Sequence, residues 1–159
     1  MELVLLCGLL VMAGVTPTQG SILNVNKMIK QVTGKIPFNY WAYGCHCGFG
    51  GRGEPKDATD RCCLEHDCCY SLLKTQRCKP QTNHYKYNFS LGDIQCSDKG
   101  SWCEKQLCAC DKAMAFCLKS SLNTYQKKLR FYLRPKCKGT TPPCTGAANL
   151  TLTLPGLPP

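Results

Sequence analysis

Cysteine is the residue type that most constrains how this chain can fold. Fifteen of the 159 residues are cysteine, a share typical of secreted domains that are held together by disulfides. Cys7 lies in an apolar run, residues 3–15, which has the length of a signal-peptide core and is followed by small residues up to Gly20. We predict cleavage after Gly20 and secretion, because a membrane anchor would need a longer apolar run. The fourteen cysteines beyond Gly20 can form up to seven disulfides.

Structural zinc is the alternative interpretation of the most closely spaced cysteines. The segments Cys45-His46-Cys47 and Cys108-Ala109-Cys110 resemble ligand clusters, but zinc ribbons usually separate their cysteines by two residues. An even number of cysteines in a secreted chain favours disulfides instead.

The chain is strongly basic, with 20 Lys and Arg against 10 Asp and Glu and a formal charge of +10. Cleavage after Gly20 would remove Glu2 and raise that charge by one. No acid follows Asp111, but eight basic residues do: Lys112, Lys119, Lys127, Lys128, Arg130, Arg134, Lys136 and Lys138. We predict an anionic partner, either a phospholipid membrane surface or a heparan-type polysaccharide, against the alternative of an ordinary solvated helix face. Nucleic acid is not expected, because no nucleic-acid-binding motif is present.

The distribution of apolar residues, glycine and proline predicts a mainly α, disulfide-rich fold. Apolar residues at helical spacing predict an N-terminal helix over residues 22–33. Residues 57–74 and 102–121 contain no Gly or Pro and predict two long helices, the first capped by Asp57. Residues 85–89 and 94–96 predict a small β-hairpin. Residues 43–53 contain five glycines and predict an irregular loop.

Cysteine spacing predicts how the two long helices pack. Cys62 and Cys69 are seven residues apart, as are Cys110 and Cys117, so each pair lies on one helix face, about 10 Å apart. In antiparallel helices, facing residues have a constant sum of residue numbers, and this holds for Cys62 with Cys117 and for Cys69 with Cys110. We predict two parallel disulfides that join antiparallel helices, although spacing alone leaves other pairings open.

Candidate catalytic residues lie between these cysteines. His66 and Tyr70 are one helical turn apart, and the disulfide register puts Asp111 at the level of His66. An imidazole beside a carboxylate is the base half of a hydrolytic site, whereas the plainer interpretation is an exposed histidine near solvated acids. Because no G-x-S-x-G motif is present and the cysteines are expected in disulfides, water is the expected nucleophile.

The glycine-rich loop is a candidate calcium site. Calcium prefers oxygen ligands, including backbone carbonyls, and residues 46–50 can turn several carbonyls toward one point. Asp67 would supply the carboxylate. The loop is neither an EF-hand nor a phosphate-binding loop, and on its own it could be an ordinary turn-rich disulfide loop.

Three motifs resemble those of the secreted phospholipases A2. YGCHCGFGGRG at residues 43–53 is similar to that family's calcium loop, DRCCLEHDCC at residues 60–69 to its active-site helix, and LCACD at residues 107–111 to its second long helix. The resemblance covers about residues 21–144. Cys144 beyond Cys137, and a first helix without cysteine, resemble group II, and the sequence looks closest to the D subgroup.

The resemblance implies a calcium-dependent hydrolase that cleaves the sn-2 ester of glycerophospholipids at a membrane. The residues that it implies are His66, Asp111, Gly48, Tyr70 and Tyr85 for catalysis; Asp67 and the carbonyls of His46, Gly48 and Gly50 for calcium; and Ile22, Val25, Met28 and Ile29 for an acyl channel. The apolar stripe is by itself more typical of a core face. The alternative function is a non-catalytic polysaccharide binder or receptor ligand, which the presence of His66, Asp67 and Asp111 disfavours.

The resemblance also implies a complete disulfide pairing. It contains both predicted interhelical bridges and adds Cys45–Cys137, Cys47–Cys63, Cys68–Cys144, Cys78–Cys103 and Cys96–Cys108. His46 departs from the family, which usually has tyrosine there, but a carbonyl ligand tolerates the change. Residues 145–159 extend past the usual family end and are predicted to be a disordered tail.

Three further expectations concern the surface. Asn88, in the sequon Asn-Phe-Ser, is the predicted glycosylation site. The expected apolar rim, Ile22, Leu23 and Phe49, is modest, so charge should dominate membrane binding. The protein is expected to be a monomer.

Overall fold

The computed structural model describes residues 20–145 of the chain. Its regular elements are α1 (Gly20–Thr33), α2 (Ala58–Thr75), β1 (Tyr87–Ser90), β2 (Asp93–Cys96) and α3 (Trp102–Ser120), with short 3-10 turns at Pro37–Asn39, Leu122–Thr124, Lys127–Leu129 and Arg134–Lys136. The predicted mainly α, disulfide-rich fold is confirmed. Residues 1–19 of the predicted signal peptide (1–20) and residues 146–159 of the predicted tail (145–159) lie outside the described residues.

Both long helices begin at side-chain caps. The Asp57 carboxylate accepts a hydrogen bond from the Asp60 N–H at 2.9 Å, as its position before α2 predicts. Ser101 and Glu104 form a reciprocal capping box at the start of α3, which the sequence analysis did not identify. These caps fix where each helix starts and therefore which residues face the partner helix.

The two long helices pack against each other, and α1 packs across α3. Two clusters of apolar side chains form the core. One contains Met28 and Val32 of α1 with Leu107 of α3, and the other contains Val25 and Ile29 of α1 with neighbouring residues. The apolar stripe of α1 therefore serves both halves of the core.

Seven disulfides join the elements: Cys45–Cys137, Cys47–Cys63, Cys62–Cys117, Cys68–Cys144, Cys69–Cys110, Cys78–Cys103 and Cys96–Cys108. Both bridges that the constant residue sum predicted are present, with Cα–Cα distances of 5.7 and 5.9 Å. Two bridges at different levels along α2 and α3 fix the distance between these helices and also their register. That register decides which side chains of the two helices meet.

The β-hairpin differs in extent from the prediction. Its strands pair Tyr87 with Cys96 and Phe89 with Ile94 around a two-residue turn at Leu91 and Gly92. Tyr85 precedes β1 instead of lying in it, because the ladder closes at Tyr87. Ile94 is fully buried and anchors the hairpin to the core. No helix among residues 20–145 is long and apolar enough to cross a membrane.

Candidate active site

A histidine and a buried aspartate meet across the two long helices. His66 Nε2 lies 2.7 Å from Asp111 Oδ1. The Asp111 side chain is completely buried, whereas 14% of the His66 side chain is exposed. An ionised carboxylate can only accept, so this contact requires the imidazole proton on Nε2 and leaves the lone pair on Nδ1. Within the described residues, Nδ1 forms no hydrogen bond.

Two tyrosines complete the hydrogen bonding of Asp111. The Tyr70 hydroxyl donates to Oδ1 at 2.7 Å, and the Tyr85 hydroxyl donates to Oδ2. Burial, with the neighbouring Asp111 charge, raises the pKa of both tyrosines far above the usual range. Both hydroxyls therefore stay protonated and hold the carboxylate in one orientation. The sequence-predicted set His66, Asp111, Tyr70 and Tyr85 lies together.

The start of α1 reaches this network through Ser21. Its buried hydroxyl lies 2.8 Å from the Tyr70 oxygen and 2.8 Å from the Pro80 carbonyl, to which it donates. Nothing in the helical pattern of α1 pointed to this contact, because it joins residues 49 positions apart. The first turn of α1 therefore lies against the residue that holds Asp111.

The glycine-rich loop is shaped by a second buried carboxylate, Asp60. Its oxygens accept hydrogen bonds from the backbone N–H groups of Cys45, His46 and Lys56, each at 2.8 Å. A Cβ atom on Gly44 would lie 2.3 Å from the Asp60 carboxyl carbon, so only glycine fits there. The motif that contains Asp60 stands out for its cysteines and its histidine. Nothing in the sequence pattern indicated that Asp60 accepts hydrogen bonds from the loop.

His46 points its side chain into the interior of the loop. The ring is buried, and Nε2–H donates to the Gly53 carbonyl at 2.8 Å. A Cβ atom on Gly51 would lie 2.4 Å from His46 Nδ1, so the ring fills the space beneath that glycine. The histidine that replaces the family's usual tyrosine is therefore a packed part of the loop.

The loop offers a set of oxygens to a cation. Gly48 and Gly50 have positive φ angles of 104° and 67°, which glycine adopts without strain. No hydrogen bond within residues 20–145 uses the carbonyls of His46 or Gly48. The Asp67 carboxylate is half-buried and has no hydrogen-bond partner in that same part of the chain, and burial raises the pKa of this group above its usual range. No cluster of three or more His, Cys, Asp or Glu side chains forms a metal site in the described residues.

The carbonyl of Gly50 is already engaged. Arg134 Nη1 donates a hydrogen bond to it from the other end of the domain, 84 residues along the chain. In the sequence, Arg134 is marked only as one of the eight basic residues after Asp111. Of the predicted loop ligands, Gly50 is therefore the one that the structure pairs with a protein cation.

Comparison with known proteins agrees with this geometry. The family model for phospholipase A2 matches residues 22–130. The chain belongs to the phospholipase A2 family. It is 71% identical over 145 residues to human group IID secretory phospholipase A2, which covers 91% of this chain and all of that protein. Identity is 63% to the mouse group IID enzyme and 45% to the human phospholipase A2 named membrane associated, each over 145 residues, 91% of this chain and all of the relative. The predicted resemblance to group II secreted phospholipases A2, and to their D subgroup, is confirmed.

The four α1 residues predicted for an acyl channel differ in how far their side chains are exposed. Met28 is fully buried, Val25 and Ile29 are nearly so, and Ile22 is 42% exposed. Met28 Sδ lies 3.8 Å from the Tyr85 hydroxyl, so the stripe approaches the Asp111 network. Their role as a phospholipase A2 acyl channel stays a prediction.

The exposed apolar surface is larger than the sequence analysis expected. Beyond Ile22, Leu23 and Phe49, the large exposed apolar side chains are Ile36, Phe38, Trp41, Leu91, Phe131 and Leu133. Trp41 contacts Phe49, and Phe38 contacts Phe131, each with ring centroids 5.6 Å apart. These residues lie outside the α-helices and strands, in segments without a regular hydrophobic period, so no pattern marked them as exposed.

One residue of the predicted basic surface is neutralised locally. Lys112 lies 3.2 Å from Asp93 and donates to the Ile94 carbonyl at 2.5 Å. In the sequence Lys112 opens a basic run without acids, but in the fold the hairpin brings Asp93 of β2 next to it on α3.

Proposed function

We propose that this protein is a secreted, calcium-dependent phospholipase A2 that hydrolyses the sn-2 ester of glycerophospholipids to a fatty acid and a lysophospholipid. One observation carries the proposal. His66 has its Nε2 bound to Asp111, which leaves Nδ1 with its lone pair, the tautomer and orientation that a general base needs. Membership of the phospholipase A2 family supports the same reaction class.

His66 acts on water. The Nδ1 lone pair takes a proton from the attacking water, and the charge of the resulting imidazolium is stabilised by Asp111 at 2.7 Å. The same nitrogen returns the proton to the departing alkoxide of the lysophospholipid as the acyl C–O bond breaks. Tyr70 and Tyr85 keep Asp111 from turning away during this cycle. They are positioning residues, since they act through the carboxylate.

The phospholipase A2 family is generally calcium-dependent, and the loop oxygens fit such an ion. Asp67 and the carbonyls of His46, Gly48 and Gly50 would hold it. Bound calcium would polarise the ester carbonyl. The Gly48 N–H, which donates to no acceptor in the described residues, would stabilise the developing oxyanion.

The proposed substrate surface is an anionic phospholipid membrane. The ring pairs Trp41–Phe49 and Phe38–Phe131 supply apolar area that can enter the headgroup region. Arg130 lies 5.7 Å from the Phe38 ring centroid and 5.4 Å from that of Phe131, which places a cation beside apolar surface. Both charge and insertion therefore contribute to docking.

The remaining expectations stay proposals. The exposed lysines at 127, 128, 136 and 138 support a heparan-type polysaccharide as a second anionic partner. Asn88 is exposed on β1, which supports its glycosylation in an extracellular protein. We also propose that the protein is a monomer and that its phospholipase A2 domain spans residues 21–144.

The test is fatty-acid release from mixed phospholipid vesicles, with calcium and with chelator. We expect His66→Gln to lose about 10²–10⁴-fold in rate, while the matched His84→Gln, at an exposed histidine, keeps wild-type turnover. Asp67→Lys puts an ammonium beside the loop and should abolish calcium-dependent hydrolysis, whereas Asp98→Lys makes the same charge change at an exposed site. Full activity in excess chelator would show that the metal role is wrong.

A further inference from the structure

The Arg134 side chain reaches the glycine-rich loop and contacts one of its predicted ligands. Nη1 donates to the Gly50 carbonyl oxygen. Nη2 would lie 3.7 Å from a Cβ atom built on Gly48, so the guanidinium also borders a second loop residue. Any role of Arg134 toward a metal rests on the proposed function, in which this loop holds calcium.

Arg134 is held against the loop by the backbone. It begins a 3-10 turn that ends one residue before Cys137, and the Cys137 N–H donates to the Arg134 carbonyl at 3.0 Å. Cys137 is bonded to Cys45 at the start of the loop. Pro135 further restricts this turn. The guanidinium is therefore tethered near the loop through a short, covalently closed path.

Arg134 forms no ion pair in the described part of the chain. The one ion pair there between a Lys or Arg side chain and an acid joins Lys112 to Asp93. The positive charge at the Gly50 carbonyl is therefore not neutralised by a salt bridge.

We propose that Arg134 is an internal competitor of calcium: its guanidinium engages the Gly50 carbonyl oxygen and thereby weakens calcium binding at the loop. A carbonyl oxygen has two lone pairs, but two cations on one oxygen repel each other. Binding free energies are reciprocal, so a contact that calcium must weaken also weakens calcium.

The alternative role for Arg134 is to preorganise the loop for calcium. Arg134 could hold Gly50 in the calcium-binding conformation, and its loss would then loosen the loop and weaken calcium binding. The two roles change calcium affinity in opposite directions. The unbalanced charge favours competition, because a preorganising contact needs only a neutral donor.

Isothermal titration of calcium into the purified, disulfide-bonded protein tests this without any turnover. Arg134→Gln removes the charge, and we expect calcium to bind roughly five- to fifteenfold more tightly, as Coulomb repulsion about 5 Å apart with salt screening gives. Arg134→Lys keeps a charge and should stay within about threefold of wild type. Lys136→Gln is the matched control: an exposed cation two residues away with the same loss of charge, for which we expect less than a twofold change from screened distant charge.

Two results would overturn the inference: Arg134→Gln binding calcium no more tightly than Lys136→Gln, or binding it more weakly than wild type. Arg134→Met, which keeps an apolar stem, repeats the measurement if the glutamine variant does not fold, and near-ultraviolet circular dichroism checks folding in each case. Asp67→Asn separates the two proposals. If it binds calcium as wild type does, the proposed metal site fails. If it does not, and Arg134→Gln matches Lys136→Gln, only the competition fails.

Discussion

Replacing Asp60 by asparagine should destabilise the protein through the glycine-rich loop. The wild-type carboxylate is completely buried and accepts three backbone hydrogen bonds. Oδ2 takes those from Cys45 and Lys56, and Oδ1 takes that from His46. An amide keeps one acceptor oxygen and turns the other into an NH₂ donor. In its best orientation, asparagine keeps two bonds and sets its NH₂ against the His46 N–H.

The expected cost comes from the bond that this orientation loses. A hydrogen bond to a charged group contributes about 1.5–3 kcal/mol, and a buried donor left unsatisfied costs about 1–3 kcal/mol. Because the two bonds that remain also lose their charge assistance, we expect a total loss of about 2–5 kcal/mol in the free energy of unfolding. The same change moves the His46 backbone, so calcium affinity should fall as well.

The assay is urea unfolding with the disulfides intact, and tryptophan fluorescence is the signal that reports the transition. Asp98→Asn is the matched control, since Asp98 is exposed and such surface changes usually stay within about 0.5 kcal/mol. A midpoint shift without a change in slope would show that stability falls while the surface exposed on unfolding stays the same. If Asp60→Asn unfolds within about 0.5 kcal/mol of the control, the three-donor carboxylate does not hold the loop and the reasoning fails.

Three other outcomes are expected. In an ultraviolet titration Tyr43, Tyr70 and Tyr85 should ionise well above pH 10, because burial raises their pKa. The same tyrosines lose their protons at lower pH in the unfolded chain than in the folded one. The free energy of unfolding should therefore fall as pH rises past about 10. Normal titration of all seven tyrosines would contradict this. Peptide mapping should recover both bridges between α2 and α3, and crossed pairs would contradict the helix register. Calcium-loaded protein should bind anionic vesicles more tightly than zwitterionic ones and lose that preference in high salt; equal, salt-independent binding would assign docking to the exposed rings.

Helix geometry explains why much of the catalytic arrangement could be predicted from the sequence. Once Cys62 and Cys117 share one rung, the rise per residue fixes which side chains lie opposite each other. His66 and Asp111 then face each other, and the structure has them 2.7 Å apart. Tyr85 could be placed there only through the family resemblance, because it precedes β1 and belongs to no periodic element.

The loop could be predicted only in part, because its contacts come from distant segments. The glycines predicted a turn with several free carbonyls. They gave no sign that the Gly50 carbonyl accepts a hydrogen bond from Arg134, 84 residues away. Asp60 was harder still to interpret. A capping residue at the start of a helix normally bonds the helix itself, and here Asp57 does so while the aspartate three residues later turns toward the loop.

The stripe on α1 shows where pattern reasoning stops on physical grounds. Helical spacing reports that Val25, Met28 and Ile29 share an apolar face, and all three are buried. It does not report what the face meets, since a protein core and an acyl chain are equally apolar. Met28 contacts the Tyr85 hydroxyl at 3.8 Å, so one side of this face borders the residues that hold Asp111. Lining an acyl channel and filling the protein core both require apolar side chains at these three positions. Only the binding of a lipid chain distinguishes the two roles.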